Sequence, residues 1–110
     1  MIGGNITATI QISSTTRNKI GEAVKTWKDI QDVTGWLEYQ AGDSRYNNYN
    51  AKIQESTHVF VADYVELDPQ ITAENSQMVV NGKEYDIILI DNPMELNKQL
   101  EFYLKFTGGQ

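Results

Sequence analysis

Residues 77–90 read QMVVNGKEYDIILI, and this stretch decides the fold class. Two β-prone runs flank Asn81-Gly82, a dipeptide typical of a two-residue type I′ turn because both turn positions need a positive φ. The pattern therefore predicts a β-hairpin. In its second strand, residues 85–90 include five apolar side chains in six, so we expect this strand to lie in the core. Asp91-Asn92-Pro93 predicts where the strand ends.

Alternation of apolar and polar residues continues the β pattern at both ends of the chain. An N-terminal strand, half-buried, is predicted by the apolar positions Ile6, Ala8, Ile10 and Ile12. A closing strand is predicted in LEFYLKF (100–106), where one face carries Leu100, Phe102, Leu104 and Phe106. Its other face carries Glu101, Tyr103 and Lys105. Each strand thus has one face that needs a covering layer.

The segments in between alternate between β-rich and turn-rich composition. Residues 22–40 are rich in β-branched and aromatic side chains, which predicts a long bent strand or a strand pair with Gly35 at a bulge or kink. Residues 13–21 (SSTTRNKIG) are polar and predict a turn. Residues 56–67 return to strand character.

Two shorter connections complete the outline. Residues 68–77 are a turn-rich connector that begins at an Asp-Pro pair, and residues 94–99 predict one helical turn or a loop. The total is six or seven strands with little helix. Because small antiparallel sheets protect their edges best by closing, we expect one all-β domain over residues 1–110, a six- to seven-stranded antiparallel β-barrel. A sandwich is the alternative, and residues 107–110 are expected to form a flexible tail.

Composition narrows the possible functions. The chain has 110 residues, a net charge of −6, no cysteine and one histidine, which excludes disulfides, thiolate metal sites and a cysteine nucleophile. A net negative chain is repelled by phosphate, so nucleic-acid binding by one copy is not expected. The N-terminus lacks the pattern of a signal peptide, and no apolar run approaches the roughly 20 residues of a membrane span. We expect a soluble intracellular protein with no cofactor and no membrane partner.

Two groups of polar residues are candidate sites of chemistry. Asp63, Glu66 and Asp68 could suggest a calcium or magnesium site, but their spacing matches no calcium loop, which favours a solvated strand end. His58 shares a strand face with Ser56, yet no nucleophile elbow or oxyanion device accompanies them. A packing or surface histidine is the better interpretation. The sequence predicts a protein that is not an enzyme.

Aromatic residues leave a second function open. A stacking platform for bases or sugars is one interpretation of Trp27, Trp36, Tyr39 and Tyr64. The acidic neighbours Asp29, Asp32 and Glu38 argue against it, because such platforms lie in electropositive grooves. Core or subunit-interface residues are favoured. The alternative function is a ligand-binding barrel of the oligosaccharide- or single-stranded nucleic-acid-binding type.

The segment GDSRYNNYNAKIQE (42–55) is long for a connection in a compact domain, where about 4–6 residues are usual. Drawn as a helix, it places Tyr46, Tyr49 and Ile53 on one face, and Asp43 or Ser44 could cap it. Its asparagines make that helix marginal by itself. We expect a long loop or short helix near residues 41–55 that orders against a neighbour, with a plain mobile loop as the alternative.

The order of these features resembles a known family over residues 24–106. The quoted segments are TWKDIQDVTGWLEYQ, AGDSRYNNYNAKIQESTHVFVADY, VVNGKEYDIILIDNP and LEFYLKF. They are similar to the early strand pair, long tyrosine-rich loop, Gly-Lys hairpin and closing strand of the head-closure, or stopper, proteins of long-tailed phages, within the head–tail joining group. The matching motifs are structural and include no catalytic pattern.

The resemblance implies a structural role in the virion. It implies a β-barrel that forms a homo-oligomeric ring, expected to be a dodecamer in the particle, with a monomer in dilute solution as an alternative. The ring would lie below the portal or adaptor protein, dock the tail or a tail-completion protein, and let packaged DNA only pass through its channel. The protein would assemble in the host cytoplasm and then reside in the virion. Another neck or tail-terminator ring protein is a further alternative.

The resemblance also assigns a role to the long loop, which in relatives projects into the channel as a plug. Carried onto this sequence, the plug is Ala41 to Glu55. The residues expected to form it are Asp43, Ser44, Arg45, Tyr46, Asn47, Asn48, Tyr49, Asn50 and Lys52.

Overall fold

A computed structural model describes residues 6–39 and 56–106, which form a closed antiparallel barrel of six strands. The strands are β1 Ile6–Arg17, β2 Ala23–Tyr39, β3 His58–Asp63, β4 Ser76–Val80, β5 Lys83–Asp91 and β6 Gln99–Phe106. Single 3-10 turns lie at Ala73–Asn75 and Pro93–Glu95. The all-β class and the strand number expected from the sequence are confirmed. The loop or helix predicted near residues 41–55 and the tail at 107–110 lie outside the described residues.

Closure joins the first strand to the fourth. Around the barrel the order is β1-β2-β3-β6-β5-β4, and β4 pairs back with β1 from Ala8↔Val80 to Ile12↔Ser76. The N-terminal strand is therefore inserted between β2 and β4 and removes both sheet edges, as closure requires.

The Asn-Gly hairpin is confirmed at β4–β5. Asn81 and Gly82 have φ values of 53° and 79°, as a type I′ turn requires. The apolar run of β5 is explained by a register shift at Ile88, where one extra residue bulges from the strand. Before the bulge the odd positions face inward, whereas after it Leu89 packs on the outer surface and Ile90 against the core. The run is thus apolar because it serves both faces.

The barrel interior is filled by alternate residues of all six strands. Fully or nearly fully buried members are Ala8, Ile10, Val33, Phe60, Ala62, Met78, Val80, Tyr85, Ile87, Leu100, Phe102 and Leu104. The predicted inward faces of β1 and β6 are confirmed, except that Phe106 at the end of β6 is 40% exposed. Ile71 closes one end of the interior from the connector before β4.

Gly35 has a different role from the predicted bulge or kink. Residues 23–39 form one strand, and the pairing is continuous through Gly35, which faces Ile6 on one side and Ala62 on the other. The register shift of β2 falls at Ile30 instead. A Cβ at position 35 would lie 1.9 Å from the Val61 carbonyl oxygen. The glycine is needed because the backbone of β3 approaches too closely for any side chain.

The turn predicted at residues 13–21 is wrong in its extent. Strand β1 continues to Arg17, and the reversal occupies only residues 18–22. Pairing of β1 with β4 stops at Ile12, so beyond that point Ser13–Arg17 pairs only with Ala23–Trp27. We call residues 13–27 the arm. Its first strand, Ser13–Arg17, was not predicted because all its side chains are polar, whereas Ala23–Trp27 lies within the strand predicted over residues 22–40.

Gly35→Ala should destabilise the barrel more than Gly82→Ala. The first change forces Cβ into backbone atoms of β3, whereas at Gly82 nothing lies within 4 Å of an added Cβ and only the positive φ of 79° opposes it. We expect a loss of about 1–2 kcal/mol at Gly82 and a larger loss or no folding at Gly35. Urea unfolding followed by tryptophan fluorescence measures both. Equal losses would show that β3 can move away from an added Cβ at little cost and would contradict the need for glycine at position 35.

Phe102→Asp should prevent folding, whereas Lys105→Asp on the same strand should not. Phe102 is fully buried and the new carboxylate would have no partner in the interior, while Lys105 is exposed. Circular dichroism and size-exclusion chromatography of the two variants give the comparison. A folded Phe102→Asp protein would contradict the assignment of this face to the core.

Candidate functional site

One end of the barrel holds the root of the long connection. Strands β2 and β3 pair there through Tyr39↔His58, so the chain leaves and re-enters the barrel at neighbouring positions. The ring of His58 contacts Tyr39 and Tyr85 edge-on, with centroid distances of 5.5 and 5.1 Å, and Phe106 lies 5.4 Å from Tyr85. Tyr39 is 77% exposed. We call these four aromatic residues the rim cluster.

His58 is a packing residue of the rim cluster. Its Nδ1 lies 2.8 Å from the Thr57 hydroxyl oxygen, and Thr57 also binds backbone groups of β6. Burial lowers the pKa of His58, and the nearby Lys83 ammonium lowers it further. Burial raises the pKa of Tyr85. Ser56 is buried, and the described geometry brings no catalytic constellation to this histidine.

A shallow depression lies on the outer wall over β2, β3 and β6. It measures about 170 Å³ and is lined by Trp36, Glu38, Val59, Val61, Gln99, Glu101 and Tyr103. Val59, Val61 and Tyr103 form a small apolar cluster, against which Trp36 and Leu89 pack. We call it the wall depression. Its apolar floor explains why residues 59–62 are buried without alternation: β3 is covered on both faces.

Two carboxylates border the wall depression. Glu38 accepts a hydrogen bond of 2.7 Å from the Trp36 indole N–H. Glu101 accepts one from the Tyr103 hydroxyl at 2.7 Å and another from the Gln99 amide at 2.9 Å. These donors are neutral, so the bonds orient the carboxylates without bringing a positive charge to them.

The arm ends in a turn organised by Asn18. Its side-chain oxygen accepts hydrogen bonds from the backbone N–H groups of Ile20 and Glu22, both at 3.0 Å. Its backbone bonds Glu22 and Gly21, and the Arg17 guanidinium donates to the Gly21 carbonyl at 2.6 Å. Ile20 projects from this turn with 77% of its surface exposed. The sequence does carry a signal for this turn, namely Asn18 and Gly21 between segments that contain β-branched residues. The polar composition of residues 13–21 makes this signal hard to separate from that of a long polar turn.

The residues predicted for the plug, Asp43 to Lys52, lie outside the described part of the chain. Asp63, Glu66 and Asp68 do not form a metal site: within residues 6–39 and 56–106, no three acidic or histidine side chains are grouped to hold an ion. Asp68 instead accepts hydrogen bonds from the Gln70 backbone and side chain.

The aromatic residues weighed as a stacking platform are dispersed. Trp36 lines the wall depression, Tyr39 belongs to the rim cluster, and Tyr64 packs against the core. Trp27 lies at the base of the arm with the Lys25 ammonium 4.9 Å from its ring centroid. Because these four side chains occupy separate places, they do not make one surface on which successive bases or sugars could stack.

The family model described as phage head completion protein matches residues 5–105, which span all six strands. The chain belongs to this family. The predicted resemblance is confirmed at this level, and members of the family are structural proteins of the phage virion that complete the head. Membership implies association with other virion proteins such as portal and tail.

The fold has a counterpart among solved structures. The solution structure of protein SF1141 from Shigella flexneri 2a is similar with a TM-score of 0.66 and 22% identity, and the match covers 100% of both chains. At this identity the likeness concerns the fold alone. No curated protein matches the sequence. Among the described residues of this family member, no helix is long and apolar enough to cross a membrane.

Acidification should destabilise this protein in part through His58. Because its pKa is lowered in the folded state, the unfolded chain binds the proton more readily, so stability is full above the ordinary pKa of about 6.5 and falls as pH drops below it. We expect His58→Gln to lose less stability than the parent between pH 7 and pH 5. Urea unfolding at both pH values measures the difference. An identical loss in both proteins would show that His58 does not contribute.

Proposed function

We propose that this protein closes the DNA-filled head below the portal or adaptor protein and docks the tail, as one subunit of a ring. The observation that supports this role is the separation of barrel and connection. The connection leaves β2 after Tyr39 and rejoins the barrel at His58 of β3, and these two residues are paired, so a long segment can be inserted there without interrupting the strands. A scaffold of this kind can present one segment at a channel axis in every subunit of a ring.

The segment from Ala41 to Glu55 is proposed as the plug. It contains two acidic and two basic residues, Asp43, Glu55, Arg45 and Lys52, together with four polar amide or hydroxyl side chains and two tyrosines between 43 and 50. A segment without net charge has little electrostatic attraction for phosphate. It could therefore pack against its copies across the axis and still release DNA during ejection. The exposed Tyr39 at its root extends the aromatic surface onto the barrel.

The charge of the chain suits a conduit for DNA. A net charge of −6 per subunit gives a ring a strongly negative field, which repels the phosphate backbone and keeps passing DNA from adhering. The ring is proposed to be a dodecamer that assembles in the host cytoplasm on the portal or adaptor and then remains in the virion. Weak contacts between copies would leave the isolated chain monomeric in dilute solution.

Deletion of residues 43–54, with the ends joined by a short Gly-Ser link, should leave the barrel folded and the particle defective. The link needs to span only neighbouring strands, which lie about 5 Å apart, and the strands themselves supply a packed core. We expect unchanged far-ultraviolet circular dichroism. Heads supplied with this version should leak DNA or attach tails poorly.

The assay is complementation of a phage or prophage whose own copy of the gene is disabled. The control replaces Tyr46 and Tyr49 by serine and keeps the length of the segment. Comparison with the shortened chain then distinguishes the loss of aromatic packing from the loss of segment length. Full infectivity with the shortened chain would contradict the plug. Normal DNA-retaining, tailed particles without any copy of the protein would contradict head closure itself.

A further inference from the structure

Within the described residues, the arm is a two-stranded ribbon with no third strand paired to it, although Lys25 and Trp27 near its base line a depression shared with β5. Its five paired positions, from Ser13↔Trp27 to Arg17↔Ala23, lie beyond the last contact of β1 with β4. They extend roughly 17 Å before the turn, at about 3.3 Å per residue. The arm helps to make the described shape elongated, with extents of 48 × 28 × 24 Å. An isolated ribbon is marginal in water, so contact with another surface would stabilise it.

The arm also concentrates positive charge on an acidic protein. Residues 13–27 contain Arg17, Lys19 and Lys25 against the single acid Glu22, a net charge of +2. The chain as a whole carries −6, so the remaining residues carry −8. A second copy of the chain therefore offers a surface of opposite charge to the arm.

The chemistry of the arm tip matches that of the wall depression. The tip presents the exposed aliphatic side chain of Ile20 beside the exposed Lys19, and Asn18 holds this turn in one conformation. The wall depression presents an apolar floor of Val59, Val61 and Tyr103. The two carboxylates that border it, Glu38 and Glu101, accept hydrogen bonds from neutral donors of the described chain.

We propose that the arm tip of one copy binds the wall depression of a neighbouring copy, with Ile20 over the apolar floor and Lys19 beside Glu38 and Glu101. The two surfaces lie on different parts of one chain, so the contact is head-to-tail. A head-to-tail contact with a closing rotation generates a ring. The inference thus rests on the proposed function, in which a ring supplies the neighbour, and it names the surfaces that join the subunits.

Contact with a second copy explains features that binding of DNA by the arm would not. A phosphate-binding ribbon needs cations alone, whereas this tip places an exposed isoleucine at its apex and Glu22 in its turn. The wall depression is acidic at its rim and would repel DNA. Surface ion pairs are weak, about 0–1 kcal/mol each, so a single contact should be weak. In a particle the portal platform would raise the effective concentration of copies.

Complementary variants test the contact in solution. The arm variant, Lys19→Glu with Ile20→Ser, keeps the wall depression, and the wall variant, Glu38→Lys with Glu101→Lys, keeps the arm. Neither variant can form the head-to-tail contact with another copy of itself. In a mixture, however, the intact arm of the wall variant can bind the intact wall depression of the arm variant. ¹⁵N-labelled arm variant is titrated with unlabelled wall variant to about 1 mM, a range that detects millimolar dissociation constants. We expect concentration-dependent shifts at the Trp36 indole N–H and at β3 and β6 amides, reduced at high salt.

The chain offers a matched control at another exposed aliphatic-cation pair. Leu96 is 54% exposed and Lys98 is exposed in the loop before β6. The wall variant carrying Leu96→Ser and Lys98→Glu as well should shift the labelled protein as before. The wall variant carrying Lys19→Glu and Ile20→Ser instead should cause no shift. Amide spectra of all variants establish that each is folded.

The outcomes separate this contact from the proposed function. No shift at 1 mM, or equal shifts with the arm disabled, would overturn the contact between copies. Shifts of arm amides on addition of duplex DNA, together with no response between the variants, would also overturn it and identify the arm as a DNA contact. Head closure is tested separately by complementation. Particles that fail only when they carry the arm or wall variant would support the contact between copies. Particles that assemble normally without the protein would contradict head closure but would not contradict a contact measured in solution.

Discussion

Pairing of β1 with β4 is the constraint on which the rest of the molecule depends. It turns a six-stranded sheet into a barrel and so defines an interior, an outer wall and two ends. Polar side chains reinforce it on the outer face: buried Gln77 donates to Gln11 at 2.6 Å, and Gln11 donates to Asp29 at 2.7 Å. This line crosses β4, β1 and β2, and it satisfies the buried amide of Gln77.

Closure also separates the surfaces on which assembly is proposed to depend. The rim cluster and the root of residues 40–55 lie at one end of the barrel, while the arm leaves from the other end, where β1 meets Ser76. The wall depression lies on the side between them. A subunit built this way can contact the channel, a neighbour and the next protein of the connector with different elements. Each contact can then change without disturbing the core.

Local sequence patterns predict the strands of the barrel, whereas the irregular features of the fold are harder to predict from the sequence. Asn81-Gly82 and the alternation in Leu100–Phe106 identify a hairpin and a closing strand because each pattern reports a local requirement. Gly35 could not be assigned, since a bulge and a close backbone approach demand the same residue. Residues 13–17 were not predicted as a strand because their side chains are all polar and show no apolar period. The wall depression joins three strands distant in sequence, which no local pattern shows.

The late position of β4 has a consequence for synthesis of the chain. The β1–β2 hairpin is local and can form within about 1–10 μs. Ala8, however, can pair with Val80 only after β4 has been synthesised, and the barrel can close only after β6 has been synthesised. Folding limited by such long-range pairing takes milliseconds to seconds. During translation the second edge of β1 is therefore exposed on a nascent chain. The bulge at Ile30 of the paired strand β2 increases the twist of the hairpin, which makes that edge a poorer template for aggregation.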